Sequence, residues 1–350
     1  MIGTAAGGMG GIASVVTVLQ QEGFFERHHV HYLATHSAGS ALAKLATAAA
    51  SLWRVLMICL WRRPAIVHAH SASRASFVRK SLMLAIARAT GSRTIFHLHG
   101  AEFKVFASVE AGTLMRWWIR HTLRHCSVVI ALSESWAEYL RGYAPGANVV
   151  VVANSVKVHP IDAGREEAGR ILFLGRAEQR KGVFDLLAAM AALRAQHPQA
   201  RLAIGGDGDL DELARAVAAH GLADSVTILG WIGPEQKAAE LARAAIFVLP
   251  SYDEGLPMAM LEAMAAAKAI VVTPVGGIPQ AVQDGDNGLM TPAGDAPALA
   301  LALGRLLDDE PLRASLAARA RSTVQDRYST DVVIGKLDAI YRDLASGAAH

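Results

Sequence analysis

The feature that most constrains the fold is an alternation of short, continuous apolar runs with longer helical stretches, carried through the chain twice. In the first half the runs are VHYLAT (30–35), AIVHAH (65–70), TIFHLH (94–99), SVVIALS (127–133) and NVVVVAN (148–154). In the second they are RILFLG (170–175), RLAIGG (201–206), VTILG (226–230), AIFVLPS (245–251) and AIVVTP (269–274). Runs that are apolar at every position, not at every second one, belong to strands buried on both faces. Interleaved with Ala/Leu/Arg-rich helical stretches, they specify parallel sheets covered by helices on both sides. The polar stretch SVKVHPIDAGREEAG (155–169) separates the two series. The expected architecture is α/β: two Rossmann-like, doubly wound domains, 1–157 and 166–328. The tail 329–350 holds a last helix, around Asp331–Leu344, expected to pack back on the first domain. A length of 350 residues suits two domains of ordinary size.

The start is irregular. MIGTAAGGMGGIASVV has a glycine-rich turn entering a helix, yet only Met1 and Ile2 precede it as strand. A parallel strand usually needs about five residues. The expectation is a truncated first strand, with the natural start upstream of Met1 or a shortened sheet edge as the two explanations.

Charge separates the halves. Residues 1–150 hold 15 Lys/Arg against 6 Asp/Glu and no aspartate, so the remainder is net acidic. A basic first half suits an anionic surface or ligand. The aromatics do not interleave with the basic residues as a base-stacking platform requires, so no nucleic-acid partner is expected. Cys59 and Cys126 have no ligand partner at metal-binding spacing and read as buried thiols of a reducing compartment. The longest apolar tract, ALAKLATAAASLWRVLMICLW (41–61), contains Lys44 and Arg54, which argue against a membrane span. It reads as a buried or half-buried helix. Trp53, Arg54, Trp61, Arg62 and Arg63 are also residue types that sit at lipid headgroups.

Ligands of doubly wound sheets bind beyond the carboxyl ends of the strands. Four such loops are informative. GGMGGI (7–12), with Gly10 and Gly11, lets backbone amides approach an anion at a helix N-terminus. FLGRAEQRKGVFDLL (173–187) sets Arg176, a planar fork for phosphate oxygens, five residues before Lys181, a point charge able to reach the same group. GGDGDLDEL (205–213) is a tight turn into a helix; its Asp209 and Asp211 read as helix-start acids and not as metal ligands. Last, PSYDEGLPMAMLEAMAAAKAIVVTPVGGIPQ (250–280) keeps Glu254 and Glu262 eight positions apart, with Pro257 suited to a first helical position. A nucleotide sugar fits this layout: Glu254 on sugar hydroxyls, the helix start on the diphosphate, Glu262 on the ribose diol.

With these motifs the chain resembles the GT-B-fold retaining glycosyltransferases of family 4. The resemblance rests on the E-x7-E of EGLPMAMLE, on LGRAEQRKG, GGDGD, TPVGGIPQAV, DGDNGLM with PAGD, HLHGAEF and the GGMGG loop, spread from residue 7 to about 295. It implies two domains facing each other across a cleft, the first for the acceptor and the second for the nucleotide sugar. It implies that Arg176 and Lys181 neutralise the departing diphosphate and that Glu254 holds donor-sugar hydroxyls. Glu262 is implied at the ribose, Gly10 and Gly11 near the phosphates, and His99 beside the sugar at the reacting centre. Gly206, Asp207, Gly208, Gly255, Leu256 and Pro257 complete the implied donor site. No metal or other cofactor is implied, since cationic side chains and a helix dipole take the metal's part. Many relatives have Pro-Glu where this chain has Pro279-Gln280, which puts that loop's sugar contacts in doubt.

The function expected is sugar transfer from a nucleotide sugar to a glycan acceptor, lipid-linked, in bacterial-type surface polysaccharide synthesis. The expected place is the cytoplasm, peripheral at the inner membrane face. A nucleotide-sugar epimerase of the same fold stays open, although no acid/base pair around the anomeric carbon can be assigned. A non-catalytic GT-B-like subunit stays open too, although Arg176, Lys181 and Glu254 are all present. A classical NAD dehydrogenase fits less well, because GGMGGI lacks G-x-G-x-x-G in register and no acid ends VHYLATHS.

Overall fold

The computed structural model describes residues 1–4, 10–35, 41–161 and 165–347, with side chains from residue 46 onward in the helix that starts at Ala41. The chain forms two compact units, Met1–Ser155 with Thr330–His350, and Val156–Ser329.

The first unit carries β1 (Ile2–Gly3), β2 (Leu33–Ala34), β3 (Ile66–Ser71), β4 (Arg93–Leu98), β5 (Val128–Ala131) and β6 (Val149–Val151). They form one parallel sheet in the order β2-β1-β3-β4-β5-β6. The two-residue β1 is therefore not an edge: it lies between β2 and β3, pairing Ile2 with Leu33 and with Ala69. The second unit carries β7 (Arg170–Leu174), β8 (Arg201–Gly205), β9 (Val226–Gly230), β10 (Ile246–Leu249), β11 (Ala269–Val272) and β12 (Leu289–Met290). Their order is β12-β11-β10-β7-β8-β9, again all parallel.

Both orders reverse direction once. In the second unit the chain winds outward from β7 to β9, then returns to β10 beside β7 and winds the other way. Loops diverge at such a reversal, so the crevice lies beyond β7 and β10. In the first unit the reversal falls between β1 and β3.

The strands are buried as their continuous apolar runs require, with Ile171–Phe173, Ile246–Val248 and Ala269–Val272 fully enclosed. On one face of the first sheet, Phe77, Phe96, Phe103 and Phe106 pack ring against ring. Beside them Lys80 is wholly buried, with the Ser76 hydroxyl, 3.3 Å away, as its one hydrogen-bond partner among the described residues. Burial pulls its amine down to about 7. On the opposite face the last helix, Thr330–Ser346, sets Tyr341 against His68 of β3.

The helix Ala41–Arg62 is half-buried. Val55 and Cys59 point into the core, whereas Trp53 and Trp61 are 62% and 84% exposed and Arg54, Arg62 and Arg63 lie outside with them. Among the described residues no helix is long and apolar enough to cross a membrane. Both cysteines are buried and free.

Candidate functional site

At the reversal of the second sheet, β7 ends in a loop that closes with a short turn, Gln179–Lys181, and Gly182. Gly182 has φ +69, and a β-carbon there would stand 2.0 Å from the Pro250 carbonyl oxygen. Only glycine lets the loop after β7 press this closely on the end of β10. Lys181, one residue earlier, is thereby carried to Glu254. Its Nζ donates to Glu254 Oε1 at 2.5 Å, and Ser251 Oγ donates to the same oxygen at 2.8 Å. Glu254 is 5% exposed. A carboxylate this deep must be compensated, and Lys181 and Ser251 do so.

The loop after β10 is held from the other side by the loop after β11. Gly276 has φ +57, and a β-carbon there would fall 1.7 Å from the Glu254 carbonyl oxygen. The Gly277 amide donates to Gly255 O at 2.7 Å. Gly255, Leu256 and Pro257 are buried in this clamp. Pro257 does not take the first helical position: it is the N-cap, and the helix runs only Met258–Ala265. It stops early because Ala267 turns to φ +53, which lets buried Lys268 reach Glu166 at 3.1 Å. Glu262 therefore stands about one turn into the helix. Its carboxylate accepts from Lys237 Nζ at 2.6 Å.

Arg176 is more open. Its Nε lies 3.7 Å from both Glu178 and Asp207, beyond hydrogen-bonding distance, and the side chain is 58% exposed. The GGDG turn explains how its loop is fixed. Gly206 (φ +148) and Gly208 (φ +118) admit the carbonyls of Gly175 and Ala177, 1.8 and 2.5 Å from where a β-carbon would be. Ala177 N also donates to Asp207 O at 2.7 Å. These glycines brace the arginine loop. Asp209 is a helix cap, accepting from Glu212 N at 2.8 Å, as expected from its place at the turn.

In the first unit Gly10 (φ +110) precedes the helix Gly11–Gln21, and an added β-carbon at either glycine would meet no atom of the described residues within 4 Å. Gly7, Gly8 and Met9 of the same loop lie outside the described residues. His99 follows β4, and its backbone amide donates to Ser71 O at 2.8 Å. It is half-buried, its Nε2 2.9 Å from Nδ1 of His70, which is fully buried on β3. Burial and the positive charge of Lys80 hold the His99 imidazole down to about 3. His97 sits deeper, against His68. Glu102 is engaged by Arg74 Nη1 at 2.6 Å, and the same arginine holds Glu110.

Family comparison matches this arrangement at both ends. Residues 9–159 match the family described as Glycosyltransferase Family 4, and residues 157–323 match Glycosyl transferases group 1. The chain belongs to glycosyltransferase family 4. Among relatives, it is 36% identical over 213 residues to a phosphatidyl-myo-inositol mannosyltransferase of Mycolicibacterium smegmatis, covering 59% of this chain and 54% of that protein. The chain thus spans about half the length of that relative. A glycogen synthase of Mycobacterium tuberculosis is 30% identical, over 77% of this chain and 66% of its own. Among solved structures, sucrose-phosphate synthase of Thermosynechococcus elongatus superposes with a TM-score of 0.79 at 21% identity, covering 91% of this chain and 84% of its own. Anabaena HepE, solved with UDP-glucose, gives 0.78 at 18% identity over 98% of both chains. The fold is GT-B.

For a family 4 chain, the sequence motifs single out Arg176, Lys181, Glu254 and Glu262. The structure brings Lys181 directly onto Glu254 and places Arg176 by Asp207. It adds two residues that the motifs pass over: Lys237, the partner of Glu262, and His70, the partner of His99.

Proposed function

We propose that this chain is a retaining glycosyltransferase that moves a sugar from a nucleotide sugar to a lipid-linked glycan acceptor at an anionic membrane face. The observation that carries the reading is the buried Lys181–Glu254 contact at the sheet reversal of the second unit. An ammonium held there on a carboxylate at 2.5 Å has a fixed position before substrate arrives, which is what stabilising a leaving group requires.

In this reading Arg176 and Lys181 take the diphosphate, Glu254 takes sugar hydroxyls and Glu262 the ribose diol. The Gly206–Gly208 turn and Gly255–Pro257 fix the loops around them, while the Gly10–Gly11 turn takes a phosphate oxygen and His99 a sugar hydroxyl. The bond from the anomeric carbon to the phosphate oxygen breaks, and its electron pair leaves with the diphosphate. The acceptor oxygen bonds to the anomeric carbon from the face being vacated, and its proton passes to the departing phosphate. Cationic side chains stabilise the charge that grows on the leaving group.

A thermal-shift series with UDP, GDP, ADP and their common sugars tests the donor part. One nucleotide series is expected to raise the melting temperature by mass action. Glu262→Ala should weaken that nucleotide by about 10- to 100-fold, the range for losing hydrogen bonds to a charged group. No shift with any nucleotide would favour a non-catalytic role, and product formed from donor without acceptor would favour epimerisation.

The membrane part is supported by the outward side of the helices Ala41–Arg62, Ala75–Ala89 and Thr113–His125. It exposes Trp53, Leu60, Trp61, Leu82, Leu114 and Trp117, accompanied by Arg54, Arg62, Arg120 and Arg124. Aromatic and arginine side chains together suit headgroup depth. Sedimentation with anionic vesicles should be strong at low salt and weak at high salt. Equal binding to neutral and anionic vesicles would rule this part out.

A further inference from the structure

One face of the first sheet carries four histidines in contact: His68 and His70 on β3, and His97 and His99 on and just after β4. The register sets His70 opposite His97, and neighbouring ring centroids lie 4.1 to 5.3 Å apart. Their nitrogens pair in order. His68 Nδ1 meets the Tyr341 hydroxyl at 3.0 Å and His68 Nε2 meets His97 Nδ1 at 3.2 Å. His70 Nδ1 meets His99 Nε2 at 2.9 Å, and His70 Nε2 meets the Met1 sulfur at 3.2 Å.

For His70 and His99 these partners fix where the protons are. Four crowded rings without a hydrogen-bonded carboxylate stay neutral, and burial lowers each of them. A neutral ring has one N–H and one bare nitrogen, and a thioether sulfur can only accept. His70 Nε2, facing sulfur, therefore carries the proton, which leaves Nδ1 of His70 bare. That nitrogen must accept, so His99 Nε2 donates, and the remaining nitrogen of His99, Nδ1, is bare. No hydrogen bond to His99 Nδ1 occurs among the described residues.

We infer that His70 is a positioning residue: it locks His99 as the Nε2–H tautomer, so that His99 Nδ1 is offered as an acceptor to a hydroxyl of the donor sugar. The last clause rests on the function proposed above, whereas the tautomer does not. A metal ion is the competing use of the cluster, since ring nitrogens of His68, His70 and His97 lie within 4.8 Å of one another. Such an ion would find His97 Nε2 without a hydrogen-bond partner among the described residues, but would need the one lone pair of His70, which already accepts from His99.

The test is a long-range proton–nitrogen correlation spectrum of protein labelled on its histidines, with His99 assigned from a His99→Gln sample. The ligand-free wild type should show His99 as a neutral Nε2–H tautomer, unchanged between pH 8 and 6. His70→Leu should lose that single tautomer and lower kcat about tenfold, the worth of one neutral hydrogen bond, with little change in donor KM. His70→Asn, which keeps an acceptor near the place of Nδ1, should recover most of the tautomer and of kcat. An Nδ1–H tautomer in the wild type, or one stoichiometric bound metal in the purified protein, overturns the inference. If the tautomer is found but no donor supports transfer, the proposed function fails and the pairing stands.

Discussion

Lys181→Met is expected to lower kcat/KM for sugar transfer by about a thousandfold, the upper range for losing one preorganised stabiliser of transition-state charge. The same substitution should destabilise the second unit. Glu254 is buried, and without the ammonium its carboxylate keeps only Ser251 Oγ of the two hydrogen bonds described above. Removing one partner of a buried ion pair costs about 3–5 kcal/mol because the remaining charge loses its opposite. The two effects separate in a double mutant. Lys181→Met with Glu254→Gln removes both charges, so urea melts should recover most of the lost stability while activity stays low. Full activity in Lys181→Met, with the protein folded, would remove Lys181 from the mechanism.

Mild acid should unfold the first unit before the second. His68, His70, His97 and His99 are all held below their ordinary value by burial, His99 down to about 3. A histidine of this kind takes its proton first in the unfolded chain. The stability linked to it is therefore complete above the unfolded value of about 6.5 and is lost as pH falls below it, until the folded value is reached. Each such ring contributes about 1.4 kcal/mol per pH unit in that window. Four together exhaust a typical domain stability of about 5–15 kcal/mol within roughly two to three pH units. Five of the six tryptophans, at positions 53, 61, 117, 118 and 136, lie in the first unit, so tryptophan emission follows it. The emission change should fall between about pH 5.5 and 4, while amide-exchange protection of the second unit persists. His97→Leu should shallow the acid slope by one proton. A single transition shared by both units would contradict the assignment of this acid sensitivity to the histidine face.

Most strands were legible because burial on both faces leaves an unbroken apolar run, as in RILFLG and AIVVTP. The exceptions are the shortest. Leu289–Met290 reads as the end of a turn, and Ile2–Gly3 is too brief to announce itself as an interior strand. Their place is set by the neighbours that pair with them. The donor-type site was legible where its chemistry lies in one contiguous segment, as with Glu254 and Glu262. It was not legible where the partner arrives from another element. Lys237 reaches Glu262 from a separate helix, Pro234–Arg243, and His70 meets His99 only through strand register. TPVGGIPQAV shows the same limit in backbone form. Its glycines stand out in the sequence, yet only coordinates show that Gly276 is glycine because the Glu254 carbonyl occupies the space of a side chain.

The return of Thr330–Ser346 to the first unit means that the second unit is an uninterrupted insertion in the first. Residues 156–329 therefore hold a complete sheet with its helices in one contiguous segment. The first unit is instead discontinuous, because Tyr341, which closes over His68, lies beyond that segment. Without Thr330–Ser346 the histidine face loses the cover of Tyr341, so the first unit is the part that depends on this return. A chain cut after Ser329 should accordingly keep a protease-resistant second unit and a cleavable first one.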